Sequence, residues 1–225
     1  MKSRVVLFDL DGTLIDSLGD LANSLNAVLM RAGFPGHPVS AYGMMIGDGM
    51  DMLVRRALPA AKREDEECAV RVKSEMEVEY GRRWAETTLP YSGIPELLDE
   101  LTRRGVKLAV LSNKPDPFTQ LIVSRLLPRW SFSEIVGAKP GVPRKPDPFS
   151  AIAIARRMNF SPEMFLYLGD SGVDMQTARS AGMFPLGALW GFRSADELRL
   201  NGARELIEEP RQLLKLIDDS FWDEI

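Results

Sequence analysis

The sequence predicts an α/β fold, a parallel sheet with helices on both faces that is interrupted early by an all-helical insert. Two observations predict the sheet. Continuous apolar runs of strand length recur along the chain, and each ends in small polar or acidic residues, as in "VVLFDLD", "VKLAVLSN" and "MFLYLGDS". Between these runs lie stretches with helical spacing. Strands buried on both faces read as unbroken apolar runs, and their alternation with helices implies parallel pairing. A third observation locates the insert, because residues 17–84 carry helical patterns and no convincing strand.

Taken in order, "VVLF" is the first buried strand. After Thr13 the spacing turns helical, with Leu18, Leu21, Leu25, Val28 and Leu29 on one face and Gly33 as the stop. "GMDMLVRRAL" and "EDEECAVRVKSEMEVEYGRRW" continue as helices. "SGIPELLDELTRRG" reads as a helix closed by Gly105, "VKLAVLSN" as a buried strand and "PDPFTQLIVSRLL" as a helix. "FSEIVGA" is a short strand and "DPFSAIAIARRM" a helix. "MFLYLGDS", "VDMQTARSAG" and "MFPLGAL" give strand, helix and strand, and "SADELRLNGA", "RELI" and "PRQLLKLIDD" close with helix, strand and helix. Short crossings at residues 15–20 and 85–90 bound the insert. The expected domains are a core of residues 1–15 and 88–225 around an insert of residues 16–87.

Composition narrows the function classes. The chain has 225 residues, Lys+Arg 28, Asp+Glu 32 and a net charge of -4. That length allows one large domain with a smaller insert, and mild acidity without a basic run argues against nucleic acid as a partner. Cys68 and His37 are the only residues of their types. An internal disulfide and a metal site rich in His and Cys are therefore excluded, and a reducing cytoplasm fits. Cys68 lies among acids that disfavour a thiolate. No apolar stretch approaches the ~20 residues of a membrane span, and the expected state is a monomer or weak homodimer without membrane contact.

In open parallel sheets the ligand sits beyond the carboxyl ends of the strands. Those ends bring Asp9, Asp11 and Thr13 from the first strand, Ser112 and Asn113 from the second, and Asp170 and Asp174 from "YLGDSGVD", with Lys145 of "RKPDP" alongside. If the first strand keeps its geometry to Asp11, both of its acids face one spot. Carboxylates clustered without histidine or thiolate suit a hard cation such as Mg²⁺. The hydroxyls, the amide and the lysine suit phosphate oxygens. A carboxylate can attack phosphorus while a second acid moves the proton. Taken alone, Asp170 and Asp174 also fit as N-terminal helix acids, and Ser112-Asn113 as a cap.

"FDLDGTLIDS", "LAVLSNKP", "KPDP" and "YLGDSGVDM" resemble, in order, the four motifs of the haloacid dehalogenase superfamily of phosphatases. The resemblance implies a Rossmann-like core with a helical cap. It also implies Asp9 as nucleophile, Asp11 as general acid/base, and Mg²⁺ on Asp9, the Asp11 backbone carbonyl and Asp170. Thr13, Ser112, Asn113 and Lys145 would orient the phosphate or the nucleophile, and Asp174 would support the metal ligands from behind. Lys139 also precedes a proline, but "KPDP" opens the next helix as the family pattern does, which favours Lys145. "DSLGDLANSLN", "MIGDGMDMLVRRAL" and "WGFRSADEL" look most like phosphoglycolate phosphatases. The expected substrate is accordingly a small phosphomonoester, 2-phosphoglycolate. Gly47 and Gly49 either bring backbone N–H groups to its carboxylate or simply turn the chain. Arg55 and Arg56 either reach that carboxylate or face solvent, and Asp48 would repel it unless an arginine pairs with it. A sugar phosphomutase and a non-catalytic regulatory protein are the alternatives.

Overall fold

The computed structural model describes residues 5–218, so residues 1–4 and 219–225 of the expected core, including Asp219 of the closing helix, lie outside the described residues. Strand β1 (Val5–Phe8) is buried along its whole length and sits inside a six-stranded sheet. It is followed by β2 (Ile15–Asp16), α1 (Leu18–Arg31), α2 (Val39–Tyr42), α3 (Met50–Ala57), α4 (Glu66–Arg83) and β3 (Leu89–Pro90). Then come α5 (Ile94–Arg103), β4 (Lys107–Pro115), α6 (Asp116–Leu126), β5 (Phe132–Ala138), α7 (Phe149–Met158), β6 (Phe165–Gly169) and α8 (Gly172–Ser180). The last elements are β7 (Phe184–Ala188), α9 (Ala195–Leu200), β8 (Glu205–Ile207) and α10 (Leu213–Asp218).

The sheet order is β5-β4-β1-β6-β7-β8, parallel throughout, as the alternating pattern requires. Period-two geometry explains why the strands read as unbroken apolar runs. Val6, Phe8, Leu108, Val110, Leu166 and Leu168 enter the core shared with α5 and α6. Val5, Leu7, Ala109, Leu111, Phe165 and Tyr167 point to the other face, against Ala151, Ile154 and Ala155 of α7 and Ala178 of α8. Both faces are covered, and the strand order reverses beside β1, so the carboxyl ends of β1, β4 and β6 open onto one crevice.

Helices α1–α4 share an apolar cluster of their own that includes Leu21, Leu25, Val28, Leu29, Leu53, Val72, Met76 and Tyr80. Leu18, expected on the same face, is only partly buried and packs against this cluster. His37 bonds the Ala57 carbonyl at 2.7 Å, a structural contact inside the helical unit. The two crossings pair with each other, Ile15 opposite Pro90 and Asp16 opposite Leu89, in a two-stranded antiparallel ribbon. Behind it the buried Asp20 carboxylate accepts hydrogen bonds from the backbone and side chains of Thr87 and Thr88. Among the described residues no helix is long and apolar enough to cross a membrane.

Candidate active site

Strand pairing ends before Asp11, contrary to the expectation that one regular strand aims both acids at one point. Asp9 follows β1 directly, and its N–H bonds the Leu168 carbonyl of β6 at 2.9 Å. The chain then turns, with the N–H groups of Leu14 and Ile15 bonded to the Leu10 carbonyl, and Asp11 forms an isolated bridge with Ile15. The two acids consequently keep different company. Asp9 faces Lys145, whose Nζ lies 2.8 Å from Asp9 Oδ1 but outside hydrogen-bond alignment with it. Asp11 accepts from Ser17 Oγ at 2.5 Å and from Lys114 Nζ at 2.8 and 3.1 Å. Both acids still line one pocket, together with Ser112, Asn113 and Lys114. Leu21, Ile46, Gly47, Gly49, Met50 and Leu53 close that pocket from the helical side.

Below the pocket, carboxylate oxygens of Asp9, Asp170 and Asp174 lie within 4.8 Å of one another, all three residues buried. Lys145 is the lysine among them; its Nζ donates to Asp174 Oδ1 at 2.7 Å and to the Leu111 carbonyl at 3.1 Å. Lys139 is half-exposed, 3.6 Å from Asp116, and takes no part. Burial and the neighbouring Asp174 push the Asp9 carboxyl well above the usual range, against the pull of Lys145. The same two causes push Asp170 up to about 7. Burial alone would lower the Lys145 ammonium, but Asp174 and Asp9 raise it well above an ordinary lysine.

Three buried acids around one lysine leave an excess of negative charge, and two of the acids have room for a cation. Asp174 does not, because its Oδ2 takes the Ser171 N–H and hydroxyl, while Oδ1 takes Lys145 and the Tyr167 hydroxyl. It works as the acid that caps its own helix and as an anchor for Lys145. Asp170 accepts one bond on each oxygen, from Thr13 Oγ1 at 3.2 Å and from the Phe192 N–H at 2.7 Å, so each oxygen keeps a free lone pair. Glycine is required opposite it. Gly12 has φ +87, and a Cβ there would lie 2.3 Å from Asp170 Oδ2. All-oxygen donors of this kind fit a small divalent cation.

Two of the expected residues hold other parts of the site together. Thr13, expected to orient the phosphate or the nucleophile, is fully buried and donates to Asp170, while Trp190 Nε1 bonds its carbonyl. The Asn113 side chain, also expected at the phosphate, gives both its N–H groups to the carbonyls of Gly47 and Lys145 and accepts from the Lys145 N–H. It fastens the glycine loop to the Lys145 loop, with both side-chain N–H groups engaged. Ser112 Oγ accepts from the Lys114 N–H at 3.2 Å and stays on the pocket wall. Asp48 is indeed neutralised by an arginine, Arg56.

A family model described as haloacid dehalogenase-like hydrolase matches residues 6–188. The chain belongs to that family. Phosphoglycolate phosphatase of Pseudomonas putida is 31% identical over 94% of this chain and 78% of its own length. Phosphoglycolate phosphatase 1 of Pseudomonas aeruginosa is 31% identical over 96% of this chain and 80% of its own. The crystal structure of a predicted phosphoglycolate phosphatase from Haemophilus somnus superposes with a TM-score of 0.87 at 27% identity, covering 97% of this chain and 99% of that one.

In this haloacid dehalogenase-like hydrolase, two basic residues escaped the sequence reading. Lys114 is buried against Asp11 and the Tyr80 ring, 4.6 Å from its centroid. Arg193, in the loop after β7, donates to the carbonyls of Gly43, Met44 and Ile46. Their partners lie 103 and about 150 positions away, beyond any local pattern.

Proposed function

We propose that this chain is a Mg²⁺-dependent phosphomonoesterase that works through an aspartyl-phosphate and acts on a small phosphorylated metabolite, 2-phosphoglycolate. The observation that carries this reading is the buried Asp9–Lys145–Asp170–Asp174 cluster under a pocket that also exposes Asp11. Asp9, the Asp11 backbone carbonyl and Asp170 would hold the cation. When bound, the cation supplies the positive charge that lets ionised carboxylates stand beside a phosphate.

Lys145 keeps the Asp9 carboxylate oriented and partly offsets its charge. An Asp9 oxygen attacks phosphorus, the bond from phosphorus to the ester oxygen breaks, and Asp11 gives its proton to the leaving oxygen. Asp11 then takes a proton from water, whose oxygen attacks phosphorus and frees Asp9 and inorganic phosphate. Ser17 and Lys114 fix Asp11 at the mouth of the pocket for both steps. Residues 16–87 act as a cap that excludes bulk water and meets the non-phosphate end of the substrate. The names of the relatives support phosphoglycolate as that substrate.

The test is a panel of phosphomonoesters assayed with Mg²⁺, in the wild type and in Asp9→Asn. The expected result is the highest kcat/KM on 2-phosphoglycolate and a variant that folds but hydrolyses nothing. Substantial hydrolysis by Asp9→Asn refutes the aspartyl-phosphate route, and a flat panel refutes the substrate.

A further inference from the structure

The basic groups around the pocket are almost all engaged by the protein itself. Arg55 bonds Asp51, Glu66 and the Arg63 carbonyl, and Arg56 bonds Asp48 and the Met45 carbonyl. Arg193 donates to the carbonyls of Gly43, Met44 and Ile46 and pairs with Glu197. Lys145 is held by Asp9 and Asp174, and Lys114 by Asp11 and the Tyr80 ring. Arg144 differs from all of these. It is exposed, and its guanidinium has no hydrogen bond or ion pair among the described residues. Asp147, three residues on, turns Oδ1 to the Phe149 N–H, and Asp48, beside Gly49 in the chain, is taken by Arg56.

We propose that Arg144 receives the carboxylate of the substrate and is the specificity-determining residue of this site. The inference rests on the phosphatase reading above, substrate included, and supplies the recognition group that reading lacks. Arg144 directly precedes Lys145, and its backbone is anchored at the edge of the site. Its carbonyl accepts from the Asp147 N–H at 2.9 Å, and the next N–H, of Lys145, donates to Asn113 at 3.0 Å. From that fixed loop the side chain reaches across to the helical unit at Gly49, which lines the pocket together with Asn113. Gly49 has φ +89, and a Cβ there would lie 3.0 Å from Arg144 Nη1 and 3.1 Å from the Asn113 carbonyl oxygen. A side chain at that position would crowd the guanidinium away from the pocket rim, and glycine leaves it in place. A phosphate seated over Asp9 and Ser112 leaves its ester substituent between the core and the glycine loop, and Arg144 stands where those two meet. The planar guanidinium fork matches both oxygens of a carboxylate, and one without a counter-ion gives up no protein contact to take them.

The test compares the wild type with Arg144→Gln and Arg144→Lys, assayed with Mg²⁺ on 2-phosphoglycolate and on 2-hydroxyethyl phosphate, which carries a neutral CH₂OH in place of the carboxylate. The wild type should prefer 2-phosphoglycolate. In Arg144→Gln the ratio of the two kcat/KM values should fall roughly 30-fold, or about 2 kcal/mol at 1.36 kcal/mol per tenfold, through a higher KM for 2-phosphoglycolate. Lysine keeps the charge without the fork and should restore part of the ratio. Inhibition by inorganic phosphate, which has no substituent to read, should weaken far less than that KM rises. An unchanged ratio in Arg144→Gln overturns the inference and leaves the phosphatase reading intact. Parallel losses on both substrates and in phosphate inhibition would mean that Arg144 only supports the Lys145 loop, and would overturn it too. A wild type that hydrolyses phosphomonoesters without preferring 2-phosphoglycolate overturns the inference and the substrate together, and one that hydrolyses none overturns the whole reading.

Discussion

Replacing Asp20 with alanine tests what joins the helical unit to the core. Asp20 is fully buried in the first turn of α1, and its oxygens accept from the Thr87 N–H at 2.9 and 3.0 Å and from the Thr88 N–H at 2.9 Å. The Thr87 and Thr88 hydroxyls add bonds of 2.6 and 2.7 Å. Alanine leaves four donors without their acceptor. The hydroxyls can rotate to other partners and water can reach the N–H of the exposed Thr87, but the N–H of the buried Thr88 has no replacement, and a buried unsatisfied donor costs about 1–3 kcal/mol. Relief from burying a carboxylate offsets part of that sum. The expected net loss is about 2 kcal/mol, or roughly 4–8 °C in Tm for a chain of this size. Asn at the same position keeps one acceptor and should lose about half as much.

The pH dependence sharpens the test. Burial raises the Asp20 carboxyl, but the four donors outweigh it and hold the group below its ordinary value. A carboxyl depressed in the folded state stabilises above its unfolded value and loses that contribution as pH falls through the folded one. In urea titrations the wild-type-minus-alanine difference should therefore be constant from pH 8 down to about 4, the ordinary aspartate value, and shrink below it. A loss under ~1 kcal/mol at pH 7, or a difference unchanged down to pH 2.5, would refute the clamp.

Two further outcomes are expected. Arg193→Met removes the donors that hold three carbonyls of the 43–46 segment beside the pocket; kcat/KM should fall roughly 10- to 100-fold, with partial rescue by millimolar guanidinium, and a folded variant with unchanged kinetics would remove Arg193 from the mechanism. The raised Asp9 and Asp170 carboxyls mean that the cation-free fold binds protons more tightly than the unfolded chain, so its stability should decline as pH rises from about 4 through about 7. Mg²⁺ should then raise Tm far more at pH 8 than at pH 5, and an equal shift at both would contradict the proposed ligands.

What the sequence made legible was local. Val5–Phe8 reads as a strand because both faces of the sheet are apolar, and the acids at its end stand out because nothing apolar explains them. "FSEIVGA" coincides with β5. The illegible parts depend on distant partners or very short segments. Helix α2 spans four residues, too few for a periodicity, and β2 pairs with β3 through two residues on each side. Asn113 reads as a ligand donor, with a cap as the alternative, and neither reading shows that Gly47 and Lys145 bond it. Lys114 escapes notice because nothing within reach along the chain shows that Asp11 and Tyr80 enclose it.

These long-range contacts differ in how readily water can replace them, and that difference bears on access to the pocket. The ribbon and the Asp20 clamp lie at the crossings, where the Thr88 donors are buried with the acid. The Asn113–Gly47 bond lies at the pocket, and the Arg193 bonds run to the loop that leads into it. Breaking a mouth contact hands its donors to solvent, so each costs only the net ~1 kcal/mol of an exchanged hydrogen bond. Breaking the clamp strands the buried Thr88 donors and a buried carboxylate, at a greater cost. A swing of the helical unit about the 15–20 and 85–90 crossings is expected to begin at the Asn113 and Arg193 contacts. Such a swing would suit a pocket that admits substrate and releases phosphate.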